Sequence, residues 1–258
     1  MTPYIEQIID IAEAAGKGIL IPAFHKQGEV FIKQDGSVVT QTDAACQSFL
    51  QKELSKIAPD IAFLGEEMHQ EEQLACLQSK GMFWCVDPLD GTSNFITPIP
   101  LFAISIALIQ NGKPIMACIY DPIRQENFTA IQGEGSKLNG TAIQASSEKH
   151  VSNAVGFVDF KRLNHQVASH FATHKIYRSQ RNIGSCALEW AWLAAGRGQF
   201  IIHGGEKIWD YAAGSLLAEE SGCNITDFNG IHPFASQALS SSIIAAPEPI
   251  HQQLIASF

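Results

Sequence analysis

The sequence predicts an α/β fold, and three observations point to it. Between residues 61 and 131, apolar runs of strand length are separated by turn signals at Asn111-Gly112 and Asp121-Pro122. From residue 155 onward, strand-like runs alternate with helical stretches, the order that layers helices over a sheet. The chain has 258 residues, 46% of them hydrophobic, which supports a sizeable core without staples.

The elements follow in order. Ile5, Ile8, Ile9, Ala12 and Ile19 recur at helical spacing; Gly16 and Gly18 weaken the far end, and Pro22 kinks or stops the helix. Residues 31–39 read as a hairpin turning at Asp35-Gly36. Thr42 or Asp43 caps a second helix with an apolar stripe of Cys46, Phe49, Leu50, Leu54 and Ile57. Strands are expected at 61–64 and 83–86, then a meander at 102–109, 114–120 and 127–131. Residues 133–140 form a polar, Gly-rich link. In the second half, strands are expected at 155–158, 175–178, 199–202 and 242–246, with helices at 165–174, 185–195, 209–221 and 249–256. Gly222 ends the third of these helices. One domain over residues 1–258 is expected, with a soft subdomain boundary near 140–155.

Composition limits the partners. Asp and Glu number 26 against 17 Lys and Arg, a net charge of -9. No basic stripe is visible, which argues against direct nucleic-acid binding. No run approaches the roughly 18 apolar residues of a membrane span. Residues 1–10 carry two acids and no Lys or Arg, unlike a secretory signal, so a cytoplasmic protein is expected. The six cysteines contain no Cys-x-x-Cys pair and read as buried reduced thiols. His165, His170 and His174 share a helix spacing but read as solvated surface, and no histidine is assigned to metal.

The richest segment is Trp84-Cys-Val-Asp-Pro-Leu-Asp-Gly-Thr-Ser-Asn-Phe95. Asp87 ends an apolar strand, Pro88 removes a ladder donor, and Asp90 follows on a tight turn. Two carboxylates so placed can converge on one point, joined by a backbone carbonyl such as that of Leu89; hard oxygens of this kind suit Mg²⁺. Amides from Gly91 onward can cradle an anion. The plain structural reading is an Asp-Pro turn followed by an Asp-Gly turn. Glu66 and Glu67 follow another apolar strand, though they also read as the start of an acidic run with Glu71 and Glu72. Asp210 opens a helix rich in small residues, where a capping role alone would account for it. Ala212, Ala213 and Gly214 permit close backbone approach there.

Taken together, Val39-Thr-Gln-Thr-Asp43, Gly65-Glu-Glu67, Asp87-Pro-Leu-Asp-Gly-Thr-Ser-Asn-Phe95, Arg181-Asn-Ile-Gly-Ser185 and Trp209-Asp-Tyr-Ala-Ala-Gly214 resemble the inositol monophosphatase family in order and spacing. The resemblance implies a layered αβαβα sandwich, shared with fructose-1,6-bisphosphatase, and Mg²⁺-dependent hydrolysis of a small phosphorylated polyol or sugar. It implies Glu66, Asp87, Asp90, Asp210 and the Leu89 carbonyl as metal ligands. Thr92, backed by Asp43, would orient the attacking water, with Glu66 completing the catalytic group. Asp90, Gly91, Thr92, Gly184, Ser185, His203 and Asp210 would face the substrate. Lys33 and Glu67 would serve a further metal site, with Lys33 on a mobile loop. Gly184 and Ser185 also read as a helix cap, and Lys33 as a solvated turn residue.

One departure stands out. The family commonly has Glu seven residues before the Trp-Asp aspartate, and here that position is His203. Three outcomes are open. Gly204 and Gly205 bend the chain so that Glu206 takes over; or His203 faces the leaving group and alters specificity; or His203 points to solvent. Histidinol phosphate, fructose 1,6-bisphosphate and 3'-phosphoadenosine 5'-phosphate are rival substrates. A regulatory binding protein on the same fold is the rival from another class, since some bacterial relatives touch the transcription machinery. The family also implies a homodimer, with residues 96–106 as a candidate interface.

Overall fold

Alternation along one strand, Phe83–Asp90 (β4), divides the apolar side chains between two cores. Trp84 and Val86 face a cluster containing Ile8, Ile11, Leu50 and Leu54. Phe83 and Cys85 face the other way, into a cluster with Leu188, Trp190, Leu216 and Leu217. The computed structural model describes residues 2–26, 30–32, 38–79 and 81–257.

The first cluster is built on helices Thr2–Ala15 (α1) and Gln41–Ile57 (α3), with a short helix Ile21–Phe24 (α2) between them. Strand β4 lies in a seven-stranded sheet. Its neighbours are Ala62–Gly65 (β3, parallel) and Ala103–Gln110 (β5, antiparallel). The meander continues through Lys113–Asp121 (β6), Glu126–Ile131 (β7), Ser136–Leu138 (β8) and Thr141–Ile143 (β9). Helices Cys186–Ala194 (α7) and Ile208–Glu220 (α8) form the middle layer. Beyond them lies a five-stranded mixed sheet ordered Ser179–Arg181 (β11), Val155–Asp159 (β10), Ile201–Lys207 (β12), Ser240–Pro247 (β14), Cys223–Thr226 (β13). Ile201 faces the middle layer, whereas Ile202 faces a third cluster with Phe171, Ile250 and Leu254. Those last residues belong to helices His165–Thr173 (α6) and Ile250–Ile255 (α9). The layers therefore alternate α, β, α, β, α.

Several elements differ from expectation, each for a local reason. The first helix runs through Pro22 to Phe24, because a π-turn at Gly16–Leu20 intervenes and Pro22 opens a new helical segment, where its missing N–H is not needed. Helix α3 starts at Gln41, so Thr42 and Asp43 lie inside its first turn rather than capping it. Strand β4 does not end at Pro88. Its ladder resumes at Asp90 across from Ala103, and Pro88 sits in the irregular stretch between. The polar link contains β8 and leads into β9. The strand expected at 175–178 forms at 179–181: Tyr177 packs on Phe200 with ring centroids 5.2 Å apart, so its apolar signal marks packing rather than pairing. Helix α4 (Gln70–Gln78) and strand β13 were not anticipated; α4 buries only Gln73 and Leu77 and carries almost no apolar stripe. Phe102, Ala103, Ile104 and Ile106 are buried in the chain's own core, so the second half of the candidate interface segment leads into a core strand, while 97–100 are exposed. The hairpin strands Val30–Ile32 (β1) and Val38–Thr40 (β2) pair antiparallel, while their turn and Lys33 lie outside the described residues.

All six cysteines are free thiols, four of them buried, with Cys76 and Cys186 partly exposed. Among the described residues no helix is long and apolar enough to cross a membrane.

Strands β4 and β12 each carry a one-residue bulge. On β4, three steps from Asp87 to Asp90 match two steps on β5, from Ser105 to Ala103. On β12, three steps from His203 to Glu206 match two on β14, from Ile243 to Ser241. Residues i and i+3 of a regular strand face opposite sides, and one extra residue returns them to the same side. The second bulge is tight: a Cβ added to Gly204 would lie 1.9 Å from the Arg162 carbonyl oxygen, whereas at Gly205 the nearest atom is 3.5 Å away. We expect Gly204→Ala to destabilise by about 1–3 kcal/mol, read as a lower urea midpoint at unchanged m-value. Gly205→Ala should leave the midpoint near wild type; equal effects of the two changes would refute this account of the bulge.

Candidate active site

The bulge in β4 turns both Asp87 and Asp90 toward the middle layer. Asp87 is 2% exposed and Asp90 6%. The Leu89 amide donates to Asp87 Oδ1 at 2.9 Å, which fixes the carboxylate on its own turn. Asp210 reaches the same place from the first turn of α8. It is the third residue of the helix rather than its cap, and its Oδ2 accepts the Lys207 amide at 3.0 Å. Ser105 on β5 donates to the Trp209 carbonyl at 3.2 Å, tying the start of α8 to the first sheet. Gly214 lets α8 approach α7, since a Cβ there would fall 2.3 Å from Cβ of Trp190. One ligand oxygen from each of Asp87, Asp90 and Asp210 lies within 4.8 Å of the others.

Glu66 follows β3, and its amide extends the parallel ladder to the Val86 carbonyl at 3.2 Å. From there its charge acts on all three aspartates. The Glu67 amide donates to Gln47 Oε1 at 2.8 Å. Thr92 Oγ1 lies 3.2 Å from Asp43 Oδ1 and 3.2 Å from the Leu89 carbonyl, and Asp43 is fully buried beneath it. Gly91 has φ +91°, and a Cβ there would meet the Leu101 carbonyl at 2.9 Å, so only glycine fits between β4 and the short helix Thr92–Ile96 (α5).

Across the site, Ser185 caps α7 and donates its hydroxyl to Asp90 Oδ2, while the Ala187 amide donates to the same oxygen at 2.9 Å. Capping and site contact thus coexist at Ser185. The Gly184 carbonyl approaches the Cα face of Gly91. His203 is 4% exposed and does not point to solvent. It clusters not with the three aspartates but with Cys186 and Glu206. The stacked His170 and His174 rings, 4.5 Å apart, belong to neither cluster.

Sequence reasoning overlooked the residues that hold the site from behind. Gln73 donates to the carbonyls of Gly65 at 2.9 Å and Glu66 at 3.1 Å. Asn94 donates to those of Leu101 at 2.8 Å and Ile183 at 2.7 Å. Buried Glu189 accepts the Ile183 amide at 2.8 Å. Gln73 and Glu189 sit in stretches with no motif, so nothing local marks them; Asn94 was visible as part of the central motif.

The profile of the inositol monophosphatase family matches residues 1–258. The chain belongs to that family. A curated relative, "Nus factor SuhB" of Xylella fastidiosa (strain Temecula1), is 33% identical over 236 residues, covering 88% of this chain and 83% of that protein. The crystal structure of extragenic suppressor protein suhB from Bartonella henselae superposes with TM-score 0.86 at 30% identity, covering 99% of this chain and 98% of that one. The Thermotoga maritima IMPase gives 0.85 at 27% identity over 96% and 94%. The αβαβα layering of this inositol monophosphatase family member is that of its structural relatives.

Its acidic trio is electrostatically uneasy. Burial, then the charges of Glu66, Asp90 and Asp210, pushes the Asp87 carboxyl well above its usual range. Burial, then Asp90 and Glu66, does the same to Asp210. Burial lifts Asp90 to about 7 even though Ser185 and Ala187 stabilise its anion. All-oxygen donors that resist holding like charge together suit a hard divalent cation, so the trio fits Mg²⁺. In the metal-free protein these carboxyls keep protons that the unfolded chain releases above about 4, so folding stability should fall as pH rises from there through about 7. Cations compete with those protons. The gain in melting temperature on replacing chelator with Mg²⁺ should therefore grow between pH about 5 and about 8. A gain that shrinks with pH would contradict the assignment.

Proposed function

We propose that this protein hydrolyses a small phosphomonoester, an inositol monophosphate or a similar polyol or sugar phosphate, using Mg²⁺. The carrying observation is the convergence of Asp87, Asp90 and Asp210 within 4.8 Å, two of them nearly inaccessible to solvent. Asp87, Asp90, Asp210, Glu66 and the Leu89 carbonyl would hold the cations. Bound there, Mg²⁺ supplies positive charge for an anionic ester and lowers the pKa of water.

The protein's own groups do the positioning. Thr92 Oγ1 has one proton and two acceptors, Asp43 and the Leu89 carbonyl, at 3.2 Å each. Its lone pairs remain available to accept from a water and aim it at phosphorus. Asp43 lies in the first turn of α3 and holds the hydroxyl in place. The amides of Gly91 and Thr92, at the start of α5, bind phosphoryl oxygens. Ser185 and Ala187 keep the Asp90 carboxylate in one orientation. In-line displacement needs this positioning and charge neutralisation more than a protein nucleophile. The loop carrying Gly184 and Ser185, with His203, borders the leaving-group side. A regulatory role on the same fold is a second reading, favoured by the name Nus factor that the SuhB relatives carry.

Three outcomes are expected. Phosphatase activity vanishes in excess chelator and returns with Mg²⁺ but poorly with Ca²⁺, whose coordination is looser; full activity in chelator would sink the mechanism. Asp210→Asn keeps an acceptor for the Lys207 amide but loses a charge. Its kcat should drop at least as far as the roughly 10–100-fold typical of losing a group one shell further from a metal, with an unchanged circular dichroism spectrum. Near-normal turnover would reduce Asp210 to a helix-capping residue. Sedimentation should show a dimer associating through the exposed loop 97–100, where Ile99 is 41% exposed. An Ile99→Asp variant that stays dimeric would place the interface elsewhere.

A further inference from the structure

The bulge in β12 builds a second cluster in the middle layer. It turns His203 and Glu206 to one side, and Cys186, the first residue of α7, meets them there. One ligand atom from each of the three lies within 4.8 Å of the other two. The donors differ in kind from the aspartates: a thiol, an imidazole and a carboxyl.

Glu206 gives the independent sign that something is to be held. It is fully buried. Its Oε2 accepts the Trp190 indole N–H at 2.7 Å, but among the described residues its Oε1 has no hydrogen-bond partner. A buried carboxyl oxygen without a partner is costly, and such groups in native structures call for an occupant. His203 is almost as buried, at 4% exposure, and its Nε2 lies 3.4 Å from Asp159 Oδ2. A carboxylate behind the ring is the arrangement that orients metal-binding histidines and raises their basicity. Nδ1 accepts the Gly205 amide at 3.1 Å, a bond that a cation at Nδ1 would replace.

We propose that Cys186, His203 and Glu206 bind a transition-metal dication of the Zn²⁺ class, at a site distinct in its donors from the Asp87–Asp90–Asp210 trio. Sulfur, nitrogen and one oxygen match the ligands of Zn²⁺ and Co²⁺ and are poor ligands for Mg²⁺. Three protein ligands leave a fourth position for water or for an oxygen of a bound molecule. On binding, the Cys186 S–H bond breaks, a sulfur–metal bond forms, and the proton passes to solvent; no electron is transferred. Cys186 lies between Ser185 and Ala187, both of which hold Asp90, so an ion here would adjoin the carboxylate trio.

The test uses the purified full-length protein saturated with Mg²⁺ and titrated with Co²⁺, read by absorbance. One equivalent should produce a thiolate-to-cobalt charge-transfer band in the near ultraviolet together with tetrahedral d–d bands. Cys186→Ser should abolish the charge-transfer band, and Glu206→Gln, which keeps an acceptor for Trp190, should weaken Co²⁺ binding by about 10–100-fold. Asp210→Asn should leave the band in place, separating this site from the trio whatever that variant does to phosphatase activity. Absence of a thiolate band in wild type would overturn the proposal. So would a band that survives Cys186→Ser or disappears in Asp210→Asn. Should Cys186→Ser fail to fold, as judged by its melting curve, Glu206→Gln decides: unchanged Co²⁺ affinity overturns the site.

Discussion

Burying a charge costs free energy, and the cost grows when neighbouring charges share its sign. Asp87, Asp90 and Asp210 meet between two sheets, beside an apolar cluster that includes Phe83, Cys85, Leu188 and Tyr211. Much of the surrounding structure serves to keep them there. Leu89 and Lys207 amides hold two of the carboxylates, and Ser185 with Ala187 holds the third. Each partner comes from a different element, so the site exists only once both halves of the chain have packed. The residual like-charge repulsion is what makes the arrangement a receptor for cations rather than a stabilising core feature.

The same backbone device appears on both sheets. A regular strand would set Asp87 and Asp90 on opposite faces, one of them among Leu50 and Leu54. A single extra residue sends both inward. On β12 the equivalent irregularity sends His203 and Glu206 inward together, and Gly204 allows the Arg162 carbonyl to pass close by. The middle layer thus receives polar groups from each sheet without either sheet losing its apolar outer face. Trp190 joins the two regions: Gly214 packs against it, and its indole N–H satisfies one Glu206 oxygen.

Legibility in the sequence followed the physics of each signal. Apolar periodicity marked α3, the meander and α8 because each buries a continuous stripe or face. It missed α4, whose inward residues are Gln73 and Leu77, and it misplaced β11, because Ile176 and Tyr177 are apolar for packing on Phe200 rather than for pairing. Helix starts slipped by a residue or more at Asp43 and Asp210. Both acids sit in a helix's first turn, where the helix dipole favours them, and resemble caps when read as letters. Of the site, the motif residues Glu66, Asp87, Asp90, Thr92 and Asp210 were named from motifs in the chain, while the pairing of Thr92 with Asp43 came only from the resemblance to the family.

What the sequence determined by itself was the layered α/β class, the family and the identity of the acidic residues, since those depend on short-range pattern and on motifs kept in order along the chain. Tertiary structure alone decided which side chains share a cavity. Cys186 and Glu206 lie twenty residues apart; Glu206 stood out only as a substitute for His203 and Cys186 not at all, and the β12 bulge and the docking of α7 on α8 bring both to His203. Gln73, Asn94 and Glu189 likewise acquire their roles from carbonyls and amides presented by other elements. A strand's side-chain direction alternates with every residue, so one inserted residue changes what a position faces without altering its letter.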